Sequence, residues 1–489
     1  MKVTRLPPIR TTLQPSDHPY LKGAWTPLHE EVDAFELDVI EGHLPDDLDG
    51  IYLRNTENQI HQPLGRFHPF DGDGMLHQID FERGKVSYRN RFIRTRGMEA
   101  EQEAGRSLWG GLADPPGTSV RPGFGAHGSL KDTGSTDVIV HEGVALATLY
   151  QCGEAYCLDP VTLENLGVAS WAPLDGVSAH PKVDDRTGEL LFFNYSKYAP
   201  FMHYGVVDKS GKLVHYVPIQ LPGPRLPHDM CYSENYSILN DFPVFWNPKL
   251  LERNIHAVRL DPTLPSRFGI IPRHGKVEEL RWFEAKSTYV LHWLNAFEEG
   301  TEIVLDGYFQ EDPAPPPLPG APSGYEHMMA YLDEHSFKPR LYRWRFDLST
   351  GKTREEQLDE RLLEFGTINQ KYAGRKHRYT YSTTAEPGWF LFNGFVKHDL
   401  DLSKSWSVKL AAGRFGSEPV FAPRIDAKSE DDGYLVSFII DENDKKSECI
   451  LIDCLNFDAG PVCRIALPHK LCSGTHAWWT NQPRRSSAR

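Results

Sequence analysis

Four of the 21 histidines lie in sequence surroundings that suit metal ligands. They are His180 in SAHPK, His228 in LPHDM, His292 in VLHWLNAFEEG and His476 in SGTHAWW. Each lies at or near the end of an apolar or strand-like run, where a strand can direct an imidazole towards a shared metal ion. Their separations of 48, 64 and 184 residues match no local metal motif, so ordinary packing or surface histidines remain the alternative.

Short β-rich runs joined by polar turns are the main repeated feature that would position these histidines. The Val, Ile, Leu, Tyr and Phe residues line strands, and Asp, Ser, Thr and Gly supply the turns, so each stretch predicts a β-hairpin. The stretches are IDFERGKVSYRN (79–90), YCLDPVTLENLG (156–167), DDRTGELLFFNY (184–195), GVVDKSGKLVHY (205–216) and WRFDLSTGKTRE (344–355).

Many hairpins and few helical patterns predict an all-β fold, either a propeller or a large barrel. The irregular spacing of the hairpins argues against a WD40 or kelch array. The Pro-rich stretch 311–335 predicts a surface excursion whose second half forms a short helix. No linker is evident, so residues 1–489 are predicted to form one domain.

Composition limits the classes of partner and the compartment. An apolar fraction of 40% predicts a globular chain with a large core. The net charge of −14, without a long basic run, argues against a nucleic-acid partner. Seven cysteines without a CxxC pair favour reduced thiols in a cytoplasm. No stretch approaches the roughly 20 apolar residues of a membrane span, so any membrane contact is expected to be peripheral.

Eight segments, in order along the chain, resemble the carotenoid cleavage oxygenases. The resemblance covers nearly the whole chain and implies a seven-bladed β-propeller, with loops and short helices that cap an iron site on its axis. The segments are LPDDLDGIYLRN, FHPFDGDGMLH, SAHPKVDDRTGEL, LPHDMCYSENYSILNDFP, HWLNAFEEG, GRKHRY, SEPVFAPR and SGTHAWW.

The resemblance further implies that His180, His228, His292 and His476 hold one Fe(II) ion. Four neutral imidazoles on an octahedral ion leave two positions open, where O2 and water can bind beside an alkene. No cysteine or carboxylate lies at the matched positions, which disfavours a zinc hydrolase or a facial triad. The family reaction adds O2 across one C=C bond and gives two carbonyl products, without an organic cofactor.

Three glutamates of the family accept hydrogen bonds from the ligand histidines. Two of them correspond to Glu364 in LLEFGTIN and Glu418 in SEPVFAPR, while the third position holds Gln151. A glutamine oxygen can accept from an imidazole, but it carries no charge. Glu154 lies three residues further on and is an alternative acceptor.

The substrate depends on two further positions implied by the resemblance. Relatives that cleave hydroxystilbenes and phenylpropenes hold the phenol oxygen with a Tyr and a Lys, and these positions correspond to Leu112 and Tyr150. An apolar residue favours a long polyene, either a carotenoid or an apocarotenoid, whose burial needs no polar group.

The expected activity is therefore oxidative cleavage of a hydrophobic small-molecule alkene by O2, in the cytoplasm and in peripheral contact with a membrane for substrate uptake. Cleavage of a stilbene or a phenylpropene by the same chemistry is the second interpretation. A propeller that serves only as a binding module is the third, and an isomerase that uses the same iron is a further option. The four histidines argue against the binding module.

Overall fold

The computed structural model describes residues 1–123, 130–251, 253 and 258–481, and most of its regular structure consists of antiparallel strands. The strands of this part of the chain are β1 (Lys2–Arg5), β2 (Val32–Phe35), β3 (Val39–Gly42), β4 (Asp49–Asn58), β5 (Asp73–Glu82), β6 (Lys85–Phe92), β7 (Asp137–His141), β8 (Val144–Thr148), β9 (Tyr156–Leu158), β10 (Asn165–Val168), β11 (Lys182–Asp184), β12 (Glu189–Tyr195), β13 (Phe201–Val207), β14 (Leu213–Gln220), β15 (Cys231–Tyr232), β16 (Tyr236–Asp241), β17 (Val244–Trp246), β18 (Val258–Leu260), β19 (Ser266–Pro272), β20 (Arg281–Ala285), β21 (Trp293–Glu299), β22 (Glu302–Gln310), β23 (Pro339–Asp347), β24 (Thr353–Gln357), β25 (Glu364–Thr367), β26 (Tyr379–Ala385), β27 (Phe392–Asp399), β28 (Lys404–Lys409), β29 (Arg414–Gly416), β30 (Val420–Pro423), β31 (Gly433–Asp441), β32 (Lys446–Asp453), β33 (Pro461–Ala466) and β34 (Gly474–Thr480).

Helices are few and short in the described residues. The α-helices are α1 (Arg96–Ala104), α2 (Pro248–Leu251), α3 (Glu326–Tyr331) and α4 (Glu334–Phe337). The 3₁₀ turns are Pro19–Leu21, Gly23–Trp25, Pro69–Asp71, Pro116–Thr118, Val277–Glu279, Gln370–Tyr372 and Cys454–Ala459. The predicted short helix in the second half of 311–335 is confirmed by α3 and the start of α4. Among the residues described, no helix has the length and apolarity needed to cross a membrane.

The first of two compact units combines Met1–Gly176 with Trp406–Arg489. One of its sheets has the strand order β1-β2-β6-β5-β4-β34, and another has the order β10-β9-β8-β7. A third run of strands follows the order β29-β31-β32-β33-β3, with β30 also paired to β31. Strands from early and late parts of the chain therefore pair within this unit.

The second unit is Val177–Ser405, and its sheets are mostly simple meanders. Four-stranded sheets have the orders β11-β12-β13-β14, β15-β16-β19-β20 and β21-β22-β23-β24. Strands β25, β26 and β27 pair in sequence, and β17 pairs with β18. The expectation of an all-β fold is confirmed to the extent that the chain is mostly β, whereas seven blades, a cap over an axial site and a single domain over 1–489 stay predictions.

All five predicted hairpins form, and their turn residues explain why. The pairs are β5–β6, β9–β10, β11–β12, β13–β14 and β23–β24. In the last of these, Asp347 Oδ1 accepts from the N–H of Ser349 at 2.8 Å, and Gly351 has φ +76°. An Asp side chain that bonds the backbone two residues on, followed by Gly at positive φ, closes a tight turn.

Each unit has its own apolar core. In the first unit, Tyr52, Val436, Leu451 and Trp479 belong to one cluster of buried side chains. In the second, Phe268, Trp293 and Trp344 belong to an aromatic cluster. The ring centres of Trp293 and Trp344 lie 5.3 Å apart at 81°, an edge-to-face contact. Because Trp293 begins β21 directly after His292, this core also fixes the backbone beside one candidate ligand.

Candidate metal centre

Three of the four candidate histidines form a cluster within the second unit. The ring centres of His180 and His228 lie 5.0 Å apart, those of His180 and His292 5.2 Å, and those of His228 and His292 5.4 Å. His180 is 5% exposed and His292 is 7% exposed. Residues separated by 112 positions in the chain therefore form a nearly equilateral triangle of imidazoles.

Two of these histidines adopt a backbone conformation that L-residues rarely take. His180 has φ +66° and His228 has φ +56°. At His228 the N–H of Asp229 donates to the carbonyl of Pro227 at 2.8 Å, which closes a three-residue turn with His228 at its centre. A turn of this type with positive φ is rare and strained, and such strain concentrates at functional sites.

His292 is oriented by a buried glutamate. Its Nδ1–H donates to Oε2 of Glu364 at 2.7 Å, and Glu364 is fully buried at the start of β25. The N–H of Phe365 donates to the same oxygen at 2.7 Å, and the ring of Phe365 lies 4.5 Å from that of His292. With its proton on Nδ1, His292 has its lone pair on Nε2, the nitrogen that a metal would use.

His476 has the same type of partner within the first unit. It lies in β34, is 5% exposed, and has its Nδ1 at 3.2 Å from Oε1 of Glu418. The N–H of Ala477 also donates to the carboxylate of Glu418. Both predicted glutamates thus hold the Nδ1 of a predicted histidine, which is the arrangement that fixes a ligand imidazole.

The donor set of the three-histidine cluster fits a transition metal. A metal–imidazole bond of about 2.1 Å, with the ring centre roughly 1 Å beyond the nitrogen, puts rings that share one ion roughly 4.5–5.5 Å apart. The observed separations of 5.0–5.4 Å agree with this. Imidazole ligands suit iron, copper, zinc and nickel, so the cluster itself selects a class of metal rather than one element.

The remaining predicted residues lie together in the first unit. Leu112, Tyr150 and Gln151 line one recess of about 540 Å³, a volume that includes its mouth open to solvent. Phe70 lines it as well, with its ring centre 6.4 Å from that of Tyr150 in an edge-to-face contact. The two predicted substrate positions and the Gln position are therefore neighbours around one opening.

Glu154, the alternative acceptor to Gln151, has partners of its own in the first unit. Its Oε2 accepts from Nε of Arg96 at 3.0 Å and from the hydroxyl of Tyr156 at 3.0 Å. The carboxylate is thus engaged by a cation and a phenol within its own unit, and its use in place of Gln151 stays a prediction.

Sequence reasoning missed a buried ion-pair cluster in the same recess. Lys131 lines the recess, and its ammonium lies 2.7 Å from Oε2 of Glu101 and 3.0 Å from Oδ2 of Asp73. Burial raises the pKa of Asp73 to about 6, against the opposing effect of Lys131. These partners lie 30 and 58 residues away from Lys131, so no local pattern pointed to them.

Comparisons with known proteins extend over almost all of both units. Residues 25–481 match the family model described as RPE65, retinal pigment epithelial membrane protein. The chain is 33% identical to carotenoid 9,10(9',10')-cleavage dioxygenase 1 of Pisum sativum, over 95% of this chain and 90% of that protein. It is 31% identical to isoeugenol monooxygenase of Pseudomonas nitroreducens, over 95% of this chain and 98% of that protein.

A solved structure has the same fold. The crystal structure of Pseudomonas brassicacearum lignostilbene dioxygenase aligns with a TM-score of 0.83 and 26% identity, over 96% of this chain and 100% of that one. The resemblance detected from sequence segments is thereby confirmed across the whole alignment. By its fold and its sequence, this chain belongs to the family of RPE65 and the carotenoid cleavage oxygenases.

Proposed function

We propose that the protein is a non-haem Fe(II) dioxygenase that cleaves a C=C bond of a carotenoid or apocarotenoid. The alkene and O2 give two carbonyl products, so both oxygen atoms are accounted for without a further reductant. The observation that carries the proposal is the imidazole triangle of His180, His228 and His292, with Nδ1 of His292 held by the buried Glu364. Family membership supports iron over the other metals that suit imidazole.

The proposed ligands are His180, His228, His292 and His476. When bound, the iron supplies the activation of O2 beside the alkene. The chain's own groups keep the imidazoles in the correct tautomer: Glu364 and Glu418 each accept from an Nδ1–H and leave Nε2 as the donor to the metal. Gln151 would accept without a charge, so the imidazole that donates to it would be less basic than its counterparts.

An elongated apolar alkene suits the recess that holds Leu112 and Tyr150. Phe67, Phe70 and Trp109 line this recess beside them, and aromatic faces bury a polyene without needing a polar group on it. The names of relatives support both candidate substrate classes, since one acts on carotenoids and another on isoeugenol. The hydroxyl of Tyr150 and the ammonium of Lys131 favour the phenolic alternative.

The rest of the functional proposal follows the family. A seven-bladed propeller over residues 1–489 would hold the iron on its axis, and the four-stranded meanders of the second unit support it. We further propose that the protein works in the cytoplasm and takes up its substrate in peripheral contact with a membrane surface. No nucleic-acid partner is proposed.

The test is to measure iron content and identify products in parallel. We expect about one iron per chain after anaerobic loading, and two carbonyl fragments by mass spectrometry after O2 is added. His180→Ala, His228→Ala, His292→Ala and His476→Ala should each lose activity. Full activity in an iron-free preparation, or in any two of these variants, would overturn the assignment.

The substrate class is tested by comparing kcat/KM for an apocarotenal, resveratrol and isoeugenol under one condition. A phenol beside Leu112 loses a hydrogen-bond partner, which costs roughly 1–3 kcal/mol, or about 5- to 150-fold in specificity. A tenfold preference for the phenols would select the alternative substrate and leave the iron assignment in place.

A further inference from the structure

We propose that Asp229 is a positioning residue that fixes the three histidine-bearing segments of the second unit relative to one another. The inference rests on the proposed function, because it gives Asp229 its role through the metal ligands. Asp229 follows His228 directly in the chain and is 1% exposed.

The carboxylate of Asp229 contacts the segment of each of the other two histidines. Oδ2 accepts from the backbone N–H of Trp293, the residue after His292, at 2.8 Å. Oδ1 lies 2.8 Å from Nζ of Lys182, two residues after His180. One side chain, attached next to the second ligand, is therefore bonded to the flanking residues of the first and the third.

The backbone that carries this carboxylate is itself fixed. Nδ2 of Asn240, a fully buried side chain in β16, donates to the carbonyl of Asp229 and, at 3.3 Å, to the carbonyl of Pro227. These two carbonyls flank His228 at the centre of its strained turn. Because the turn cannot rotate without breaking both bonds, the position of Asp229 and the direction of His228 are coupled.

Oδ1 of Asp229 also accepts from the N–H of Met230 at 2.7 Å, so one oxygen has a cation and a backbone donor and the other has the N–H of Trp293. A buried carboxylate with these partners is sensitive to the loss of any one of them. Asparagine has nearly the same shape and keeps an acceptor for Trp293, but it lacks the charge that pairs with Lys182. Asp229→Asn therefore weakens the link to the His180 segment more than the link to the His292 segment. Lys182→Met removes the same link and leaves Asp229 in place.

The matched control is Asp399→Asn. Asp399 is 2% exposed, compared with 1% for Asp229, and lies in the second unit, where Arg378 donates to it at 2.9 Å through Nε. Its partners are Arg378 and the N–H of Leu402, and neither belongs to the segments of His180, His228 or His292. This variant measures the cost of losing a buried carboxylate without disturbing the ligands.

The experiment measures the rate of iron release to a chelator, the visible absorption of the Co(II)-substituted protein, and kcat and KM separately. For Asp229→Asn and Lys182→Met we expect iron release about 10–100-fold faster, an altered Co(II) spectrum, and a fall in kcat with KM nearly unchanged. The control should match the wild type in release rate and spectrum. The spectrum reports ligand placement, which a loss of stability alone would not change.

Two failures can be told apart. If the wild-type protein binds no iron, the proposed function fails and the inference fails with it. If the wild type binds iron and Lys182→Met keeps both the wild-type release rate and the wild-type Co(II) spectrum, the role of Asp229 is overturned while the proposed function stands. Should Asp229→Asn not fold, the Lys182→Met result decides the question.

Discussion

Glu364 and Glu418 hold their imidazoles with different strength. The Glu364 contact is 2.7 Å to a fully buried carboxylate, whereas the two oxygens of Glu418 lie 3.2 and 3.3 Å from Nδ1 of His476. The side chain of Glu418 is also 13% exposed. A shorter hydrogen bond to a carboxylate that is shielded from water restricts the orientation of the imidazole ring more, because fewer ring positions keep the bond.

We therefore expect Glu364→Ala to impair iron retention more than Glu418→Ala. Both substitutions should weaken retention or turnover by about 10–100-fold, with Glu364→Ala at the upper end. The measurement is the rate of iron transfer to a chelator from the loaded protein. Retention equal to that of the wild type in both variants would mean that neither carboxylate supports a metal ligand.

His377, in the segment GRKHRY, gives a second prediction for a single residue. It is 3% exposed, Nδ2 of Asn295 lies 3.0 Å from its Nδ1, and burial lowers its pKa to about 4. In the unfolded chain His377 has its ordinary pKa of about 6.5. Below that pH the unfolded state therefore binds a proton that the folded state does not bind until about pH 4. The free energy of unfolding should fall by about 2 kcal/mol between pH 7 and pH 5 through this group.

Urea unfolding at pH 7 and pH 5 measures this loss. His377→Gln should show a smaller loss of stability on acidification than the wild type, whereas His327→Gln, at an exposed position of α3, serves as the control. Equal pH sensitivity in His377→Gln and the wild type would show that another group causes the acid sensitivity.

At the scale of elements, the stretch 107–114 holds Leu112 at the recess. Asp71 Oδ1 accepts from the N–H of Leu112 at 2.8 Å, and its Oδ2 accepts from the N–H of His68 at 2.7 Å. A Cβ added at Gly111 would lie 2.0 Å from Oδ2 of Asp71. The side chain of Asp71 thus holds one wall of the recess in place.

Gly111→Ala should therefore change substrate use without removing the metal. The methyl group forces the 107–114 stretch or Asp71 to shift, and the shift alters the recess around Leu112. We expect KM for the preferred alkene to rise about 10-fold or more, while iron per chain stays unchanged. An unchanged KM would indicate that this wall does not contact the substrate. Gly117→Ala is the matched control, since a Cβ there has no atom within 4 Å.

The hairpins were predictable because their causes are local. In Asp347 to Gly351, the turn-closing side chain and the positive-φ glycine lie within five residues of each other, so the pattern is visible in the sequence. The helix α1, which is not among the predicted elements, has local signals as well: Thr95 caps its start and Gly105 ends it at φ +64°.

The candidate metal centre was predictable only through the family resemblance. His292 and Glu364 are 72 residues apart, and nothing in either local sequence indicates the other. Local context selected the four histidines as candidates but could not group them. The contacts of Asp229 were not predictable from sequence, because its partners Lys182 and Trp293 lie 47 and 64 residues away along the chain and meet it only in the folded protein.

At the scale of the whole molecule, the first unit is assembled from segments that are far apart in the chain. Strand β34 pairs antiparallel with β4, with Ala477 opposite Arg54, and β3 pairs with β33. The hydroxyl of Tyr52 donates to the carbonyl of Glu418, 366 residues later. Strand pairs that are so far apart in the chain have no local sequence pattern that identifies the partner. The individual hairpins were therefore predictable, but the order in which distant strands pair was not.

The pairing of β34 with β4 also sets the timing of folding on the ribosome. Thr475 donates to Glu57, and these residues are 418 positions apart. At a synthesis rate of about 5–20 residues per second, β4 is made roughly 20–80 s before β34, its partner on one edge. Throughout that interval one edge of β4 has unpaired backbone groups, and such an edge invites strand pairing with other nascent chains. In a recombinant host, chaperones that shield this edge would thus raise the yield of folded protein. Slow translation at high ribosome density would lower the yield, because it lengthens the interval with an unpaired edge.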